Sequence, residues 1–155
     1  DGDHAAVHDA LRRHDLPGKA VVLEIAATAG IADLATAAEV CSAVRRLGVR
    51  FALDDLGSGY SSLNYLRRLP IDVIKLDRSV TAGDADPAKT AAIGSGVVHV
   101  ARRLGVQLIA EGVESATQVS RLAGLGCELG QGHLLAPPVP VDRIELHTGN
   151  RANAG

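Results

Sequence analysis

Aromatic residues and cysteines are scarce in this sequence, and tryptophan and methionine are absent. Two tyrosines and one phenylalanine are the only aromatic side chains among 155 residues. The core must therefore be built from valine, leucine, isoleucine and alanine. The two cysteines, Cys41 and Cys127, match no zinc-binding spacing and are best interpreted as small buried residues in a reducing compartment. No apolar run approaches the roughly 20 residues of a membrane span, and we recognise no secretory signal, so we expect a cytoplasmic protein.

The charge balance argues against a protein that binds nucleic acid in bulk. The formal net charge is -2, so no basic surface suggests bulk nucleic-acid binding. Hydrophobic residues make up 46% of the chain, which argues against disorder and predicts one domain with a substantial core. Because the chain begins with Asp1 rather than methionine, we expect it to be part of a longer polypeptide.

Residues 50–63 hold the first candidate site. A short apolar run ends on the adjacent carboxylates Asp54 and Asp55, and the glycines at 57 and 59 then favour a tight loop before a helix. In parallel α/β folds, ligands and metals bind at such strand ends. Taken alone, the two aspartates are better interpreted as the start of a loop and a turn former, and the rest of the chain reverses that preference.

Three further polar residues lie in or beside predicted apolar strands. Glu24 lies near the end of the strand predicted at 20–25, Lys75 lies within 72–76, and Glu111 follows 106–110. A lysine in an apolar strand is costly unless it lines a polar site or pairs with a carboxylate. The alternative for Lys75 is an edge strand with a solvated lysine.

The remaining pattern alternates helices with strands. We predict helices at 3–14, 31–47, 62–69, 88–104 and 115–125, a weak fifth strand at 127–131, and a polar loop at 81–87. A terminal helix begins near residue 141, and residues 148–155 form a flexible tail.

An internal repeat supports this assignment of alternating helices and strands. Residues 45–55 align with residues 102–112, each copy consisting of a helix end, a glycine cap and a buried strand that ends on Asp54 or Glu111. Such a repeat predicts αβ units around one parallel sheet. Glu24, Asp54, Asp55 and Glu111 would then converge at one end, with Lys75 near them.

Convergent carboxylates repel one another, so they need a cation or shared protons. Carboxylate oxygens favour Mg²⁺ or Mn²⁺, and a lysine among them can orient a nucleophilic water or neutralise a phosphate. The spacing thus predicts metal-assisted hydrolysis of a phosphate ester. The same acids are also compatible with a binding site that has no turnover.

Four motifs in this order resemble the EAL domain family, the cyclic di-GMP phosphodiesterases. The resemblance runs from about residue 16 to residue 144, and its motifs occupy residues 54–63, 69–77, 110–114 and 126–137. It implies a modified (β/α)8 TIM-barrel-like fold, here incomplete with about five βα units. We expect residues 1–147 to form a partial EAL domain.

The resemblance also implies roles for individual residues. Glu24, Asp54 and Asp55 resemble metal ligands for a two-metal Mg²⁺ or Mn²⁺ site. Lys75 and Glu111 resemble the catalytic residues, with Lys75 orienting the attacking water and Glu111 acting as a base or metal-associated acid. Two further residues, Glu114 and Gln131, resemble residues that bind the substrate, cyclic di-GMP. The loop at 55–62 resembles one that couples metal binding to formation of a homodimer.

Two departures from the family pattern suggest an impaired site. The sequence contains no Glu-Ala-Leu triplet, and we expect this motif and an asparagine ligand to belong upstream of Asp1. Ala27 stands where the family usually places a glutamate that anchors the catalytic loop.

Three hypotheses therefore remain open. The chain is the C-terminal part of a phosphodiesterase and is inactive alone, or it is a degenerate module that binds cyclic di-GMP or a protein without catalysis, or it is a non-functional truncation. The resemblance makes upstream sensory or diguanylate cyclase (GGDEF) domains plausible partners in a parent protein.

Overall fold

The computed structural model describes residues 2–56, 62–82 and 86–144. This part of the chain contains six α-helices and five β-strands, with one helix before each strand except the fourth, which two helices precede, and with short 3₁₀ turns at Gly18–Ala20 and Val141–Arg143. The helices are α1 (Gly2–Arg13), α2 (Leu34–Arg45), α3 (Ser62–Arg68), α4 (Arg78–Ala82), α5 (Pro87–Leu104) and α6 (Ala116–Leu125). The strands are β1 (Val22–Ala26), β2 (Arg50–Leu56), β3 (Val73–Leu76), β4 (Gln107–Ala110) and β5 (Leu129–Gly130).

The five strands form one parallel sheet in the order β1-β2-β3-β4-β5. Each connection therefore moves one strand further in the same direction. Because crossovers between parallel strands are right-handed, this order places the connecting helices on one face of the sheet, as in the wall of a (β/α)8 barrel. The predicted incomplete TIM-barrel-like fold is confirmed.

The core lies between this sheet and its helices. Leu53 and Ile74 are completely buried at its centre, and Tyr65 of α3 packs beside them. The phenol oxygen of Tyr65 also accepts a hydrogen bond of 3.1 Å from the backbone N–H of Ile31. Aliphatic side chains thus fill the core, as the scarcity of aromatic residues predicts.

Local signals set the helix ends. Asp33 caps α2 and Asp86 caps α5 by accepting backbone N–H bonds. The pKa of Asp33 is lowered by a hydrogen bond from the Thr36 hydroxyl and by these N–H bonds, and that of Asp86 by bonds from Lys89 and Ala88. Ser115 and Gln118 form a capping box at α6. Gly105 adopts the left-handed conformation that lets the chain leave α5 and enter β4.

Several predicted boundaries were wrong. The second helix is shorter at both ends than 31–47, and the fifth strand is limited to two residues. Residues 81 and 82 belong to α4 rather than to a loop. At residue 141 the structure has a 3₁₀ turn, and the predicted tail at 148–155 lies outside the described residues. Among the described helices, none is both long and apolar enough to cross a membrane.

Candidate active site

Strand alternation places the predicted site residues on the sheet face opposite the helices. Leu53 and Ile74 belong to the core beneath the helices. Their neighbours Asp54 and Lys75 therefore point to the other face, since successive side chains of a strand alternate. The same reasoning applies to Glu24, whose strand register places it beside Ala52. Three of the predicted residues thus share the inner face of the barrel wall.

The ammonium group of Lys75 lies at the centre of this face. Its Nζ is 2.9 Å from Oε1 of Glu111, 3.0 Å from Oε2 of Glu24 and 3.1 Å from Oδ1 of Asp54. Lys75 is only 8% exposed and lies on β3, between β2 and β4. The alternative interpretation, a solvated lysine on an edge strand, is therefore wrong.

These contacts determine the charge state of Lys75. Burial disfavours the charged ammonium, but hydrogen bonds to Glu111, Glu24 and Asp54 outweigh it and hold the pKa of Lys75 above its ordinary value. The side chain thus stays protonated at physiological pH. It can donate hydrogen bonds and supply positive charge, but it cannot accept a proton.

A bulge in β2 brings a second aspartate to the same place. The register between β2 and β3 shifts between Leu53 and Leu56, and Asp55 has a left-handed φ of 59°. Without the bulge, adjacent aspartates would point to opposite faces of the sheet. Instead, carboxylate oxygens of Asp54, Asp55 and Glu111 all lie within 4.8 Å of one another.

This trio has the donor set of a hard-cation site. Mg²⁺ and Mn²⁺ bind carboxylate oxygens, and three such oxygens at this separation can share one ion. Glu24 is the most solvent-accessible carboxylate around Lys75, with half of its side chain exposed, and it stands outside the trio. The residues present therefore fit a divalent cation, with Glu24 available beside it.

A cavity of about 440 Å³ adjoins the carboxylates. Its lining includes Glu111, Glu114, Gln131 and His133. Glu114 is ion-paired with Arg78 at 3.2 Å, while the backbone of Gln131 exchanges hydrogen bonds with Ala110 and Val113. The two residues predicted to bind substrate thus line one cavity, which opens beside Glu111.

Sequence reasoning missed the short helix α4, which contributes to the same region. Asp77 accepts a 2.8 Å hydrogen bond from the N–H of Ser79, just where α4 begins. Burial opposes ionisation of Asp77, but bonds from Ser79 and from the N–H of Arg78 outweigh it, so the pKa of this carboxyl is lowered. The signal that could have found this helix is Asp77 itself, an N-cap residue type directly after a buried strand.

Ala27 lies directly behind the aspartates. It is 6% exposed, and its N–H donates a 3.0 Å hydrogen bond to the carbonyl of Asp54. Its methyl group offers no acceptor to the chain that follows Asp55. Residues 57–61 of that loop lie outside the described part of the structure, so the predicted coupling of the loop to dimer formation stays a prediction.

The fold and the site together define an α/β barrel protein with an acidic, lysine-containing site at the carboxyl ends of its strands. The sequence profile of the EAL domain matches residues 3–138. The chain belongs to the EAL domain family, which confirms the resemblance seen in the motifs.

Two curated relatives come from Pseudomonas aeruginosa. Cyclic di-GMP phosphodiesterase RocR is 41% identical over 130 residues, which are 84% of this chain and 33% of that protein. Bifunctional diguanylate cyclase/cyclic di-GMP phosphodiesterase MucR is 37% identical over 139 residues, which are 90% of this chain and 20% of MucR. The chain thus spans a third or less of the length of these two relatives.

Solved structures agree with the sequence relatives. The MucR phosphodiesterase in complex with cyclic di-GMP superposes with a TM-score of 0.81 at 37% identity, covering 89% of this chain and 56% of that one. BlrP1 of Klebsiella pneumoniae, solved with manganese and cyclic di-GMP, superposes with a TM-score of 0.77 at 32% identity, covering 84% of this chain and 33% of that one. Similar proteins therefore bind divalent metals.

Proposed function

We propose that this chain carries part of the site of a cyclic di-GMP phosphodiesterase, which hydrolyses one phosphodiester bond to give the linear dinucleotide. One observation carries the proposal: a protonated lysine is held by three carboxylates next to a trio of oxygens suited to a divalent cation. Phosphodiester hydrolysis needs positive charge for the phosphate and an activated water. RocR and MucR, whose names describe this activity, are relatives of the chain.

Each residue has a proposed part in this chemistry. The ammonium of Lys75 would exchange one of its three carboxylate contacts for the attacking water, which it orients, and Glu111 would accept the proton that this water loses. Asp54, Asp55 and Glu24 would hold Mg²⁺ or Mn²⁺, with Glu111, the third member of the carboxylate trio, as a metal-associated acid. When bound, the cation supplies charge that lowers the pKa of water and polarises the phosphate.

Substrate recognition is proposed for the cavity beside Glu111. Glu114 and Gln131 offer acceptor and amide groups that match the edge of a guanine base. At about 440 Å³, the cavity falls within the usual range for small-molecule sites. The ion pair between Arg78 and Glu114 holds one of these groups in place.

We expect the chain alone to hydrolyse cyclic di-GMP slowly or not at all. Its sequence has no Glu-Ala-Leu triplet, and Ala27 offers no acceptor to the loop after Asp55. The decisive assay therefore uses a chimera in which the N-terminal part of the MucR domain is joined to this chain. With Mn²⁺, chromatography should detect the linear dinucleotide, and a chelator should abolish formation of this product.

Two lysine variants provide the matched comparison. Lys75→Met in the chimera should abolish product formation, whereas Lys89→Met should not, because Lys89 is on the surface with 83% of its side chain exposed. A folded chimera that forms no product, or one in which both variants behave alike, would contradict the proposal.

A second function is favoured by Ala27: a module that binds cyclic di-GMP without hydrolysing it. If Ala27 merely impairs an enzyme, Ala27→Glu in the chimera should raise turnover. If the domain is a sensor, that variant should bind cyclic di-GMP, as measured by calorimetry, and remain inactive.

Partners and location are also proposals. MucR, described as having both diguanylate cyclase and phosphodiesterase activities, suggests GGDEF or sensory domains in a parent protein, and the loop after Asp55 suggests a homodimer. The two cysteines are free and buried. We propose a cytoplasmic location, since reduced thiols are typical of that compartment.

A further inference from the structure

Thr81 of α4 is a completely buried polar residue, with 0% exposure. Its Oγ1 is 2.6 Å from the carbonyl oxygen of Glu111 and 3.1 Å from that of Arg78. A hydroxyl has a single proton to donate, and the shorter distance assigns it to Glu111. Thr81 thus contacts the backbone of the residue whose side chain is closest to Lys75.

The carbonyl of Glu111 depends on this donor because it lies beyond the sheet. The last carbonyl of β4, that of Ala110, accepts from the N–H of Gln131, and the N–H of Glu111 donates to Leu76. Gly112 then turns the chain with a left-handed φ of 63°. The backbone of Glu111 is therefore held by β3 through its N–H and by the Thr81 hydroxyl through its carbonyl.

Thr81 is itself fixed from two directions. Its carbonyl accepts a hydrogen bond from the guanidinium of Arg121 on α6, and its N–H donates to the carbonyl of Asp77 at 3.2 Å. Thr81 and Arg121 thus connect α4 and α6 to the point where β4 ends.

We propose that Thr81 is a positioning residue: its hydroxyl fixes the backbone of Glu111 and thereby aims the Glu111 carboxylate at Lys75 and at the cation site. The proposal rests on the proposed function of Glu111 as a site carboxylate. Residues that hydrogen-bond to a metal ligand usually contribute to affinity for the metal as well as to stability.

The test uses the full 155-residue chain and two substitutions of Thr81. Thr81→Val keeps the shape but removes the donor, while Thr81→Ser keeps the hydroxyl. Titration of Mn²⁺ followed by electron paramagnetic resonance should show affinity about tenfold or more weaker in Thr81→Val. Thr81→Ser should restore most of the wild-type affinity.

A core variant separates positioning from general destabilisation. Val44 is 2% exposed in the core between α2 and the sheet, so Val44→Ala should lower the melting temperature without changing Mn²⁺ affinity. If Val44→Ala weakens Mn²⁺ binding as much as Thr81→Val, or if Thr81→Val binds Mn²⁺ like the wild type, the proposal is overturned. Should Thr81→Val fail to fold, Arg121→Met must weaken binding in the same direction.

A second experiment measures the positioning role of Thr81 without a metal. If the wild type binds no Mn²⁺, the proposed function fails, yet the positioning role is still measurable in the unfolding free energies of Thr81→Val, Glu111→Gln and the double variant. Coupling between Thr81 and the Glu111 carboxylate predicts that the effects do not add. Additive effects would overturn the proposal.

Discussion

Replacing Lys75 by methionine tests the electrostatic description of the site. The substitution keeps the length of the side chain and removes its charge, leaving Glu24, Asp54 and Glu111 without their shared cation. Removing one partner from a fully buried ion pair costs about 3–5 kcal/mol. Here the carboxylates are partly solvated, with side-chain exposures of 50%, 24% and 19%, so we expect about 2 kcal/mol.

This loss should be visible in thermal unfolding. For a domain of this size, 1 kcal/mol shifts the melting temperature by about 2–4 °C, so Lys75→Met should melt about 4–8 °C below the wild type. Adding Mn²⁺ should raise the melting temperature of Lys75→Met more than that of the wild type, because the cation replaces the lost charge. Lys89→Met should melt like the wild type.

The pH dependence follows from the direction of the pKa shift. The pKa of Lys75 is raised in the folded protein, so its stabilisation is fully present below the unfolded pKa of about 10.4 and is lost only as pH rises through the raised value. A variant as stable as the wild type at pH 7, or a stability difference that disappears between pH 7 and pH 10, would refute the reasoning.

Two further predictions concern α4 and the turn beside it. Asp77→Asn should lower the free energy of unfolding at pH 7, because the pKa of Asp77 is lowered in the folded protein. Urea unfolding should show that the difference between variant and wild type persists above about pH 4 and disappears as pH falls through the lowered pKa. Gly112→Ala should destabilise more than Gly105→Ala, although both glycines have left-handed φ: a Cβ at Gly112 would lie 2.7 Å from Cγ of Arg78, whereas nothing lies within 4 Å at Gly105. Equal melting temperatures for the two glycine variants would contradict this.

Much of the site could be read from the sequence because its residues stand at strand ends. The repeat that relates Asp54 to Glu111 places both acids at one edge of a parallel sheet, and the structure brings them within 4.8 Å. The apolar surroundings of Lys75 likewise predicted that it lines a polar site or pairs with a carboxylate. It meets three.

Other features depend on tertiary context that local patterns do not show. The bulge that lets Asp54 and Asp55 share a site is a register shift between two strands, and neither strand encodes it alone. Helix α4 has five residues, too few for a hydrophobic period, and the predicted loop at 81–87 covers its last two residues. The burial of Thr81 follows from packing against Glu111 and α6.

The most direct test of the central claim is a two-dimensional amide NMR spectrum of the full chain with Mg²⁺, recorded before and after addition of cyclic di-GMP. A ligand site at the ends of β2, β3 and β4 predicts dispersed peaks whose shifts cluster around Asp54, Lys75, Glu111 and Gln131. A dispersed spectrum that cyclic di-GMP leaves unchanged would contradict the claim, because a folded chain would then have no site for the dinucleotide.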